Sequence, residues 1–435
     1  MKRWIAVALV PSFLSALTLQ DALKHTLEAN PQIVAKKSEL ATQKSLLQAS
    51  KSGYLPKVDL SYSVGPEATK TIANDRVNVH VVRQNAAATI KENIFSGFST
   101  KYGVKQQNAQ VLTSEAGLLD AKYTTSLQLI TAYVDILRKK ELLKIAADNE
   151  AVHKKYLAEI KQRVDAGIGR ASDYTQTLSR YENAQSTYSI TKQKYQNALY
   201  GFERIYSADV DPKTLQEPKI GTLPANNLDA LVAMAYKNNP SIMKSENEIK
   251  YARATIEKSN AAYYPTVDLQ AQAYWDKNLN GYSKEKQGRP TANDQVENNG
   301  YNGLVVVNYN IFNGLNDKAT KEANEHKLLT QEAKLADTKQ YLKAQTAIAW
   351  ETFQDTTTQL VHIQKNIQAS AKTVASYKKE NNLGRRSIID LLNIELEYNA
   401  ARNRQVTAKY DHLLAYYKLL TYTGNVLKAF NIATK

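Results

Sequence analysis

The octapeptide GYLPKVDL at residues 53–60 recurs as AYYPTVDL at residues 262–269, 209 positions further along a chain of 435 residues. Three further pairs follow the same order along the chain: NPQI at 30–33 with NPSI at 239–242, IFSG at 94–97 with IFNG at 311–314, and Gly167/Asp173 with Gly384/Asp390. The offset is 209 residues for the early pairs and 217 for the late ones. One constant offset that changes once is what a single insertion into a duplicated unit produces. The sequence therefore predicts an internal duplication.

Each half follows the same pattern of predicted elements. A helix of about 35 residues (19–54 and 228–263) ends before a proline, because the residue before proline is pushed out of the helical region. An alternating strand, a polar loop (65–85 and 276–303) and a second strand ending at Phe95 or Phe312 follow. About 70 residues without proline then run to Gly167 or Gly384, which predicts a helix about 100 Å long, and a further helix of about 30 to 40 residues returns.

The predicted strands have one apolar and one polar face over about ten residues, the length of a tilted transmembrane strand. Aromatic residues gather near their ends, as in the interfacial belts of membrane proteins. Alternation alone leaves open a soluble sandwich or a β-cap on a coiled coil. Four strands cannot close a barrel in lipid, whereas three chains would supply twelve, so strands that span a membrane imply an oligomer.

The composition excludes several classes of protein. The chain has no cysteine, which excludes disulfides, thiolate metal sites and a cysteine nucleophile. Its mean hydropathy of −0.49 argues against a polytopic helical membrane protein. A formal charge of +15 first suggests a soluble basic coiled coil that binds nucleic acid. Lysine and glutamate are interspersed, as in 139–141 and 378–380, so no nucleic acid is expected as a partner.

The N-terminal residues 1–17 have a short basic start and an apolar stretch, the pattern of a secretory signal peptide. The residues before position 17 fit the small-residue cleavage rule poorly, so the cleavage position stays open. The alternative is the amphipathic first helix of a cytosolic protein.

The chain resembles the TolC family of trimeric outer membrane efflux and export channels. The resemblance rests on the duplicated order of helix, strand, strand, long helix, glycine and return helix, and on the Tyr-x-Pro-x-Val-Asp-Leu and Phe-x-Gly motifs. The resemblance implies a mainly α fold with β: an α-helical coiled-coil barrel in the periplasm, and a transmembrane β-barrel to which each protomer of a trimer adds four strands. The expected organisation is a first repeat over 18–210, a linker over 211–225 and a second repeat over 226–435.

The resemblance also assigns roles to residues beside the two glycine turns. Asp173 and Arg386 correspond to residues that hold the tunnel entrance shut, and Asp390 to a residue that lines the tightest constriction. The best-known member of the family has a second aspartate in the constriction, and the corresponding residue of this chain is Asn393. Arg385 adds a positive charge beside Asp390. Gly167 and Gly384 mark the tips where an adaptor would dock.

The same residues have a purely structural interpretation. Asp173 and Asp390 would stabilise helix N-termini, with Ser172 and Ser387 as caps, and the glycines would end the preceding helices. The two interpretations are compatible with each other.

The sequence contains no pattern typical of an enzyme. Six histidines are scattered singly (His25, His80, His153, His326, His362 and His412), and no phosphate loop or nucleophile elbow occurs. We expect no catalytic residue, metal or cofactor.

The resemblance implies the exit duct of a tripartite efflux pump or a type I secretion system, which conducts its cargo passively. Its partners would be outer membrane lipid, a periplasmic adaptor and an inner-membrane RND or ABC transporter. The sequence leaves open the cargo, the particular pump and the resting state of the entrance. The alternative function is a periplasmic adaptor, although an adaptor normally carries one helical hairpin where this chain predicts two.

Overall fold

The computed structural model describes residues 16–73, 75–282 and 297–433. The chain divides into two compact units. One, here called the helical unit, takes in the described parts of Met1–Glu39, Glu115–Lys244 and Leu335–Lys435. The other, the sheet unit, consists of Leu40–Ser114 and the described parts of Ser245–Lys334.

The elements of the two halves follow the same order. The helices are α1 Leu19–Ala29, α2 Pro31–Lys51, α3 Ser99–Asp165, α4 Ala171–Tyr206, α5 Leu228–Asn238, α6 Pro240–Ser259, α7 Asn316–Asn382, α8 Ile388–Tyr422 and α9 Val426–Ala429. Both long helices, α3 and α7, have 67 residues, and the return helices α4 and α8 have 36 and 35. The predicted long helices and returns are confirmed. No helix in the described ranges is both long and apolar enough to cross a membrane.

The prediction of one 35-residue helix at the start of each half was wrong. The helix breaks at Asn30 (φ −64°, ψ 126°) and again at Asn239 (φ −73°, ψ 127°), each in extended backbone. Each asparagine precedes a proline, which disfavours the helical conformation at that position. The same steric rule that ends these segments near Pro56 and Pro265 therefore also divides them internally.

The side chain of each asparagine makes two hydrogen bonds in the helical unit, one that caps a helix and one to a return helix. The Oδ1 atom of each accepts from the backbone N–H two residues later, at 2.9 Å, and so caps α2 or α6. The Nδ2 atom of Asn30 donates to the carbonyl of Ile205 at 2.9 Å, and that of Asn239 to the carbonyl of Tyr422 at 3.0 Å. Each motif thus ties the start of its half to the end of the return helix of that half.

The sheet has four antiparallel strands in the order β1-β2-β3-β4, and β1 (Lys57–Ala73) and β2 (Asp75–Phe95) are far longer than ten residues. The predicted loop 65–85 is wrong, because valines alternate with other residues through 77–81 and extend the hairpin. β3 covers Thr266–Tyr282 and β4 covers Glu297–Asn308, while 283–296, within the second predicted loop, lie outside the described residues.

β4 ends four residues before Phe312, where the sequence placed its end. The Asn310 side chain accepts from the N–H of Phe312 at 3.2 Å, a local turn that competes with strand pairing.

The two faces of the sheet differ in polarity. One row across the strands aligns Leu60, Ala88, Ala273 and Tyr301, and the neighbouring row aligns Asp59, Thr89, Gln272 and Asn302. Leu60 is 84% exposed and Tyr301 is 90% exposed, so the apolar face has no cover within the described chain. The strands at the two ends of the sheet, β1 and β4, each pair on one side only within the described residues.

The junction from sheet to long helix needs left-handed backbone in both halves. Gly97 (φ +63°) and Phe98 (φ +70°) occupy that region, as do Gly314 (φ +58°) and Leu315 (φ +66°). A Cβ on Gly97 would lie 2.6 Å from the carbonyl oxygen of Ala261, so only glycine fits there.

The core of the helical unit surrounds Tyr133, whose side chain is fully buried. Its hydroxyl lies 2.8 Å from the carbonyl of Leu17 and 2.7 Å from that of Gln216, and burial raises its pKa to about 12. Leu17 and Leu215 form a parallel bridge. Residues 1–15 of the predicted signal peptide lie outside the described residues, whereas Leu17, its last residue, belongs to the folded unit.

Replacing Asn30 with alanine should destabilise the helical unit, because it removes the cap of α2 and leaves the carbonyl of Ile205 without its donor. We expect a loss of about 1–3 kcal/mol in the free energy of unfolding, measured by denaturation followed by circular dichroism. Gln32→Ala, an exposed position two residues away, should change it by less than about 0.5 kcal/mol. Equal effects of the two substitutions would contradict the role given to Asn30.

Candidate functional site

The two turns that join the long helices to their returns have the same backbone hydrogen bonds. Gly167 (φ +75°) donates to the carbonyl of Val164 at 2.9 Å, and Ile168 donates to that of Arg163 at 3.0 Å. In the second turn Gly384 (φ +71°) donates to the carbonyl of Asn381, and Arg385 donates to that of Glu380, at 2.9 Å each. This is the Schellman motif, in which a left-handed glycine ends a helix. The sequence prediction that both glycines end helices is confirmed.

The start of α8 has a side-chain cap that α4 does not share. Ser387 Oγ accepts from the backbone N–H of Asp390 at 3.0 Å and donates to the Asp390 carboxylate at 2.7 Å. Ser387 is therefore a cap, as predicted. Ser172 is not, because α4 begins at Ala171 and its N-cap position is Arg170, which makes no capping side-chain bond.

A cluster around Arg386 stiffens the second turn. Arg386 Nε donates to Glu380 Oε2 at 3.0 Å, and its guanidinium carbon lies 4.1 Å from the centre of the Tyr377 ring. The hydrogen bond to Glu380 raises the pKa of Arg386, with a further contribution from Asp390. Asn381, which is buried, donates from Nδ2 to the carbonyl of Arg386 at 2.7 Å. The second turn thus holds its arginine in one place.

Asp173 and Arg386 do not meet within one chain. Asp173 is half-buried in the first turn of α4, and no side-chain hydrogen bond or ion pair to it occurs among the described residues. Arg386 is paired with Glu380 instead. The predicted link between Asp173 and Arg386 stays a prediction that needs a second copy of the chain. Arg385 and Asn393 are exposed, and Asp390 is half-buried with its carboxylate accepting from Ser387. The position of these three residues at a constriction stays a prediction.

An apolar cluster fixes the second turn against the first long helix. It consists of two residues of α3 and three of α8: Tyr156, Ile160, Ile388, Leu391 and Leu392. Burial raises the pKa of Tyr156 to about 12, so its hydroxyl is neutral at physiological pH. The cluster couples the start of α8 to α3 by direct packing of side chains.

Polar contacts continue this coupling along α3 and α8. Arg402 Nη2 lies 3.0 Å from Asp148 Oδ2, and Asn399 Nδ2 donates to Asn149 Oδ1 at 2.9 Å. Further along, Lys409 lies 2.9 Å from Glu141. Partly exposed pairs of this kind are weak singly, about 0–1 kcal/mol each, so they define register more than they add stability.

Sequence reasoning missed Tyr377 and Glu380 as partners of Arg386. A signal was present, because Glu380 and Arg386 are opposite charges on the two sides of a predicted helix-ending glycine. No group of three or more histidine, aspartate or glutamate side chains with metal-binding geometry occurs in the described parts of the chain.

Two long helical hairpins combined with a four-stranded antiparallel sheet that has an open apolar face define an outer membrane channel protein of the efflux type. The chain belongs to the outer membrane efflux protein family, whose model matches residues 22–205 and 231–425. It is accordingly an outer membrane protein, and the family is one of channels rather than enzymes.

Curated relatives cover nearly the whole chain at low identity. The chain is 21% identical to the outer membrane efflux protein BepC of Brucella suis biovar 1, over 94% of this chain and 86% of the relative. It is 20% identical to the alkaline protease secretion protein AprF of Pseudomonas aeruginosa, over 94% of this chain and 85% of the relative. Among solved structures, the Campylobacter jejuni CmeC outer membrane channel has a TM-score of 0.79 at 14% identity, covering 94% of this chain and 86% of that one.

Gly384→Ala should destabilise the second turn, because a Cβ in left-handed backbone costs about 1–2 kcal/mol. Gly201 is an exposed glycine inside α4 with open space around a built Cβ, so Gly201→Ala should stabilise by up to about 1 kcal/mol. Denaturation of the two variants and of the parent protein measures both changes in the free energy of unfolding and shows whether each has the expected sign. A stabilised Gly384→Ala variant would rule out the turn conformation described above.

Proposed function

We propose that three copies of this chain form a channel across the outer membrane that serves as the exit duct of an efflux or secretion system. The observation that carries the proposal is the sheet. Among the described residues, nothing covers its apolar face, and its two end strands each lack a partner on one side. In lipid every backbone N–H and C=O must be hydrogen-bonded, so such a sheet is stable only within a closed barrel.

Three copies are the smallest number that would close a barrel with a lumen. Four strands per chain give twelve in a trimer, enough to close with a lumen, whereas two copies give eight, a barrel filled by its own side chains. The apolar row of Leu60 and Tyr301 would face lipid and the polar row of Asp59 and Gln272 would face water. The organisation into repeats over 18–210 and 226–435, with 211–225 between them, is part of the proposal.

The helix turns would form the periplasmic entrance. A ring of three Asp390 carboxylates favours cations in a narrow pore, and the neutral Asn393 and the positive Arg385 weaken that preference. Arg386 would reach Asp173 of a neighbouring copy only by leaving Glu380 and Tyr377, so opening and closing would exchange one ion pair for another. The Gly167 and Gly384 turns would contact a periplasmic adaptor.

The names of the relatives support two kinds of cargo. One is named for efflux and another for secretion of an alkaline protease, so small molecules and proteins are both candidates. An inner-membrane RND or ABC transporter would supply the energy, because we propose only passive conduction for this chain.

Conductance in planar bilayers tests the proposed channel. The purified protein should form pores of uniform conductance that favour potassium over chloride, read from reversal potentials under a salt gradient. Asp390→Asn should lower this preference and Arg385→Ser should raise it. A charge at 4 Å in water is worth about 1 kcal/mol, or roughly fivefold in the permeability ratio.

Asp355→Asn is the matched control, because Asp355 is an exposed carboxylate on α7 away from both turns. It should leave the permeability ratio near that of the parent. Absence of pores would contradict the channel, whereas pores whose selectivity ignores Asp390 and Arg385 would contradict only the assigned constriction.

A further inference from the structure

A cavity of about 540 Å³ lies in the helical unit, between α3, α4 and α8. Its volume falls in the range of small-molecule sites. Part of the wall is apolar, with Leu142, Ile145 and Leu396, and much of the rest is formed by asparagine and threonine side chains. The cavity therefore suits a ligand that has both an apolar body and a polar group.

The charged residues of the wall all have the same sign. They are Lys139, Arg180 and Lys194, and no aspartate or glutamate lines the cavity among the described residues. Lys139 has a partner at the rim, Asp135, at 3.9 Å. Arg180 makes no hydrogen bond or ion pair with any described residue, and its Nη1 atom is buried. Arg180 and Lys194 thus present positive charge with no carboxylate among the described residues that line the cavity.

His153 adds a second unpartnered group to the same wall. Its side chain is 1% exposed, and its Nδ1 atom has no hydrogen-bond partner in the described chain. An unpartnered buried polar atom is costly, and such atoms mark places where a ligand or water completes the hydrogen bonding. Arg180 on α4 and His153 on α3 line the same cavity, and Arg180 is close enough to lower the pKa of His153.

We propose that this cavity binds a small amphipathic anion, with its acidic group between Arg180 and His153 and its apolar part against Leu142 and Leu396. The proposal concerns the wall of a single chain and does not depend on the channel function. A sulfonate, carboxylate or phosphate head group supplies the acceptor oxygens that both side chains lack.

The surroundings of His153 predict a pH dependence. Burial lowers the pKa of His153, and Arg180 lowers it further, whereas Glu395 of α8 acts in the opposite direction. The other groups nearby are Tyr156 on α3 and Lys378 on α7, which lies 2.8 Å from Glu395. A bound anion offsets Arg180 and raises the His153 pKa, so binding takes up a proton and should be tighter at pH 6 than at pH 8.

The test uses the full-length protein in lipid nanodiscs and isothermal titration calorimetry. The probe is naphthalene-2-sulfonate, and naphthalene-2-methanol is its uncharged match. We expect saturable binding of the sulfonate alone, weakened roughly tenfold or more by Arg180→Gln, because that variant removes a charge-assisted hydrogen bond. His153→Gln should abolish the pH dependence.

Two further variants keep the test decisive if Arg180→Gln folds poorly. Lys194→Gln removes an exposed charge from the cavity wall and should weaken binding by about two- to fivefold. Lys192→Gln removes the same charge from the same helix outside the wall and should leave the affinity unchanged. Absence of sulfonate binding, equal binding of the uncharged match, or equal affinities of the Lys194 and Lys192 variants would overturn the proposal.

Discussion

The outer edges of β1 and β4 have no strand partner in the part of the chain that the structure describes, and this is the constraint on which the proposed assembly depends. Water can satisfy the backbone groups of such edges on the surface of a soluble protein, but the hydrocarbon of a membrane cannot. In the proposed trimer, copies of the chain complete one another's sheets. The same arrangement would account for the exposed apolar residues, since Leu60 and Tyr301 would meet lipid while the polar row faces a lumen.

The helical unit uses the same two local features in both halves of the chain. A left-handed glycine ends each long helix, and an asparagine before a proline divides each opening helix while bonding to the return helix. The two turns nevertheless differ. Ser387 caps α8 whereas Arg170 stands uncapped at the same place before α4, and Arg386 is held by Glu380 and Tyr377. The second turn is consequently the more fixed of the two, which suits a constriction.

Much of the fold was predictable because its signals are periodic or positional. The proline-free runs predicted α3 and α7, and the repeated glycines marked their ends. The β1–β2 hairpin is longer than predicted. Valines alternate with other residues from Val77 to Val81, but the segment as a whole is polar in composition, which concealed the strand pattern. The ion pair of Arg386 with Glu380, across a turn, and the unpartnered His153 and Arg180 on two different helices were not predicted. The first pair is local and its opposite charges were visible in the sequence, whereas the proximity of His153 and Arg180 depends on how two helices pack, which no spacing along one helix encodes.

The chain has no cysteine, so the edge contact can be tested with single introduced thiols. Val58 near the start of β1 and Val307 near the end of β4 are exposed, and antiparallel pairing between copies would bring them near each other. Membranes containing the Val58→Cys and Val307→Cys double variant would be treated with a short bismaleimide and separated by denaturing electrophoresis. A closed trimeric barrel should give covalent dimers and trimers and no larger species, with no trimers in either single variant. Exclusively monomeric protein, or an open ladder beyond three copies, would contradict a closed trimeric barrel.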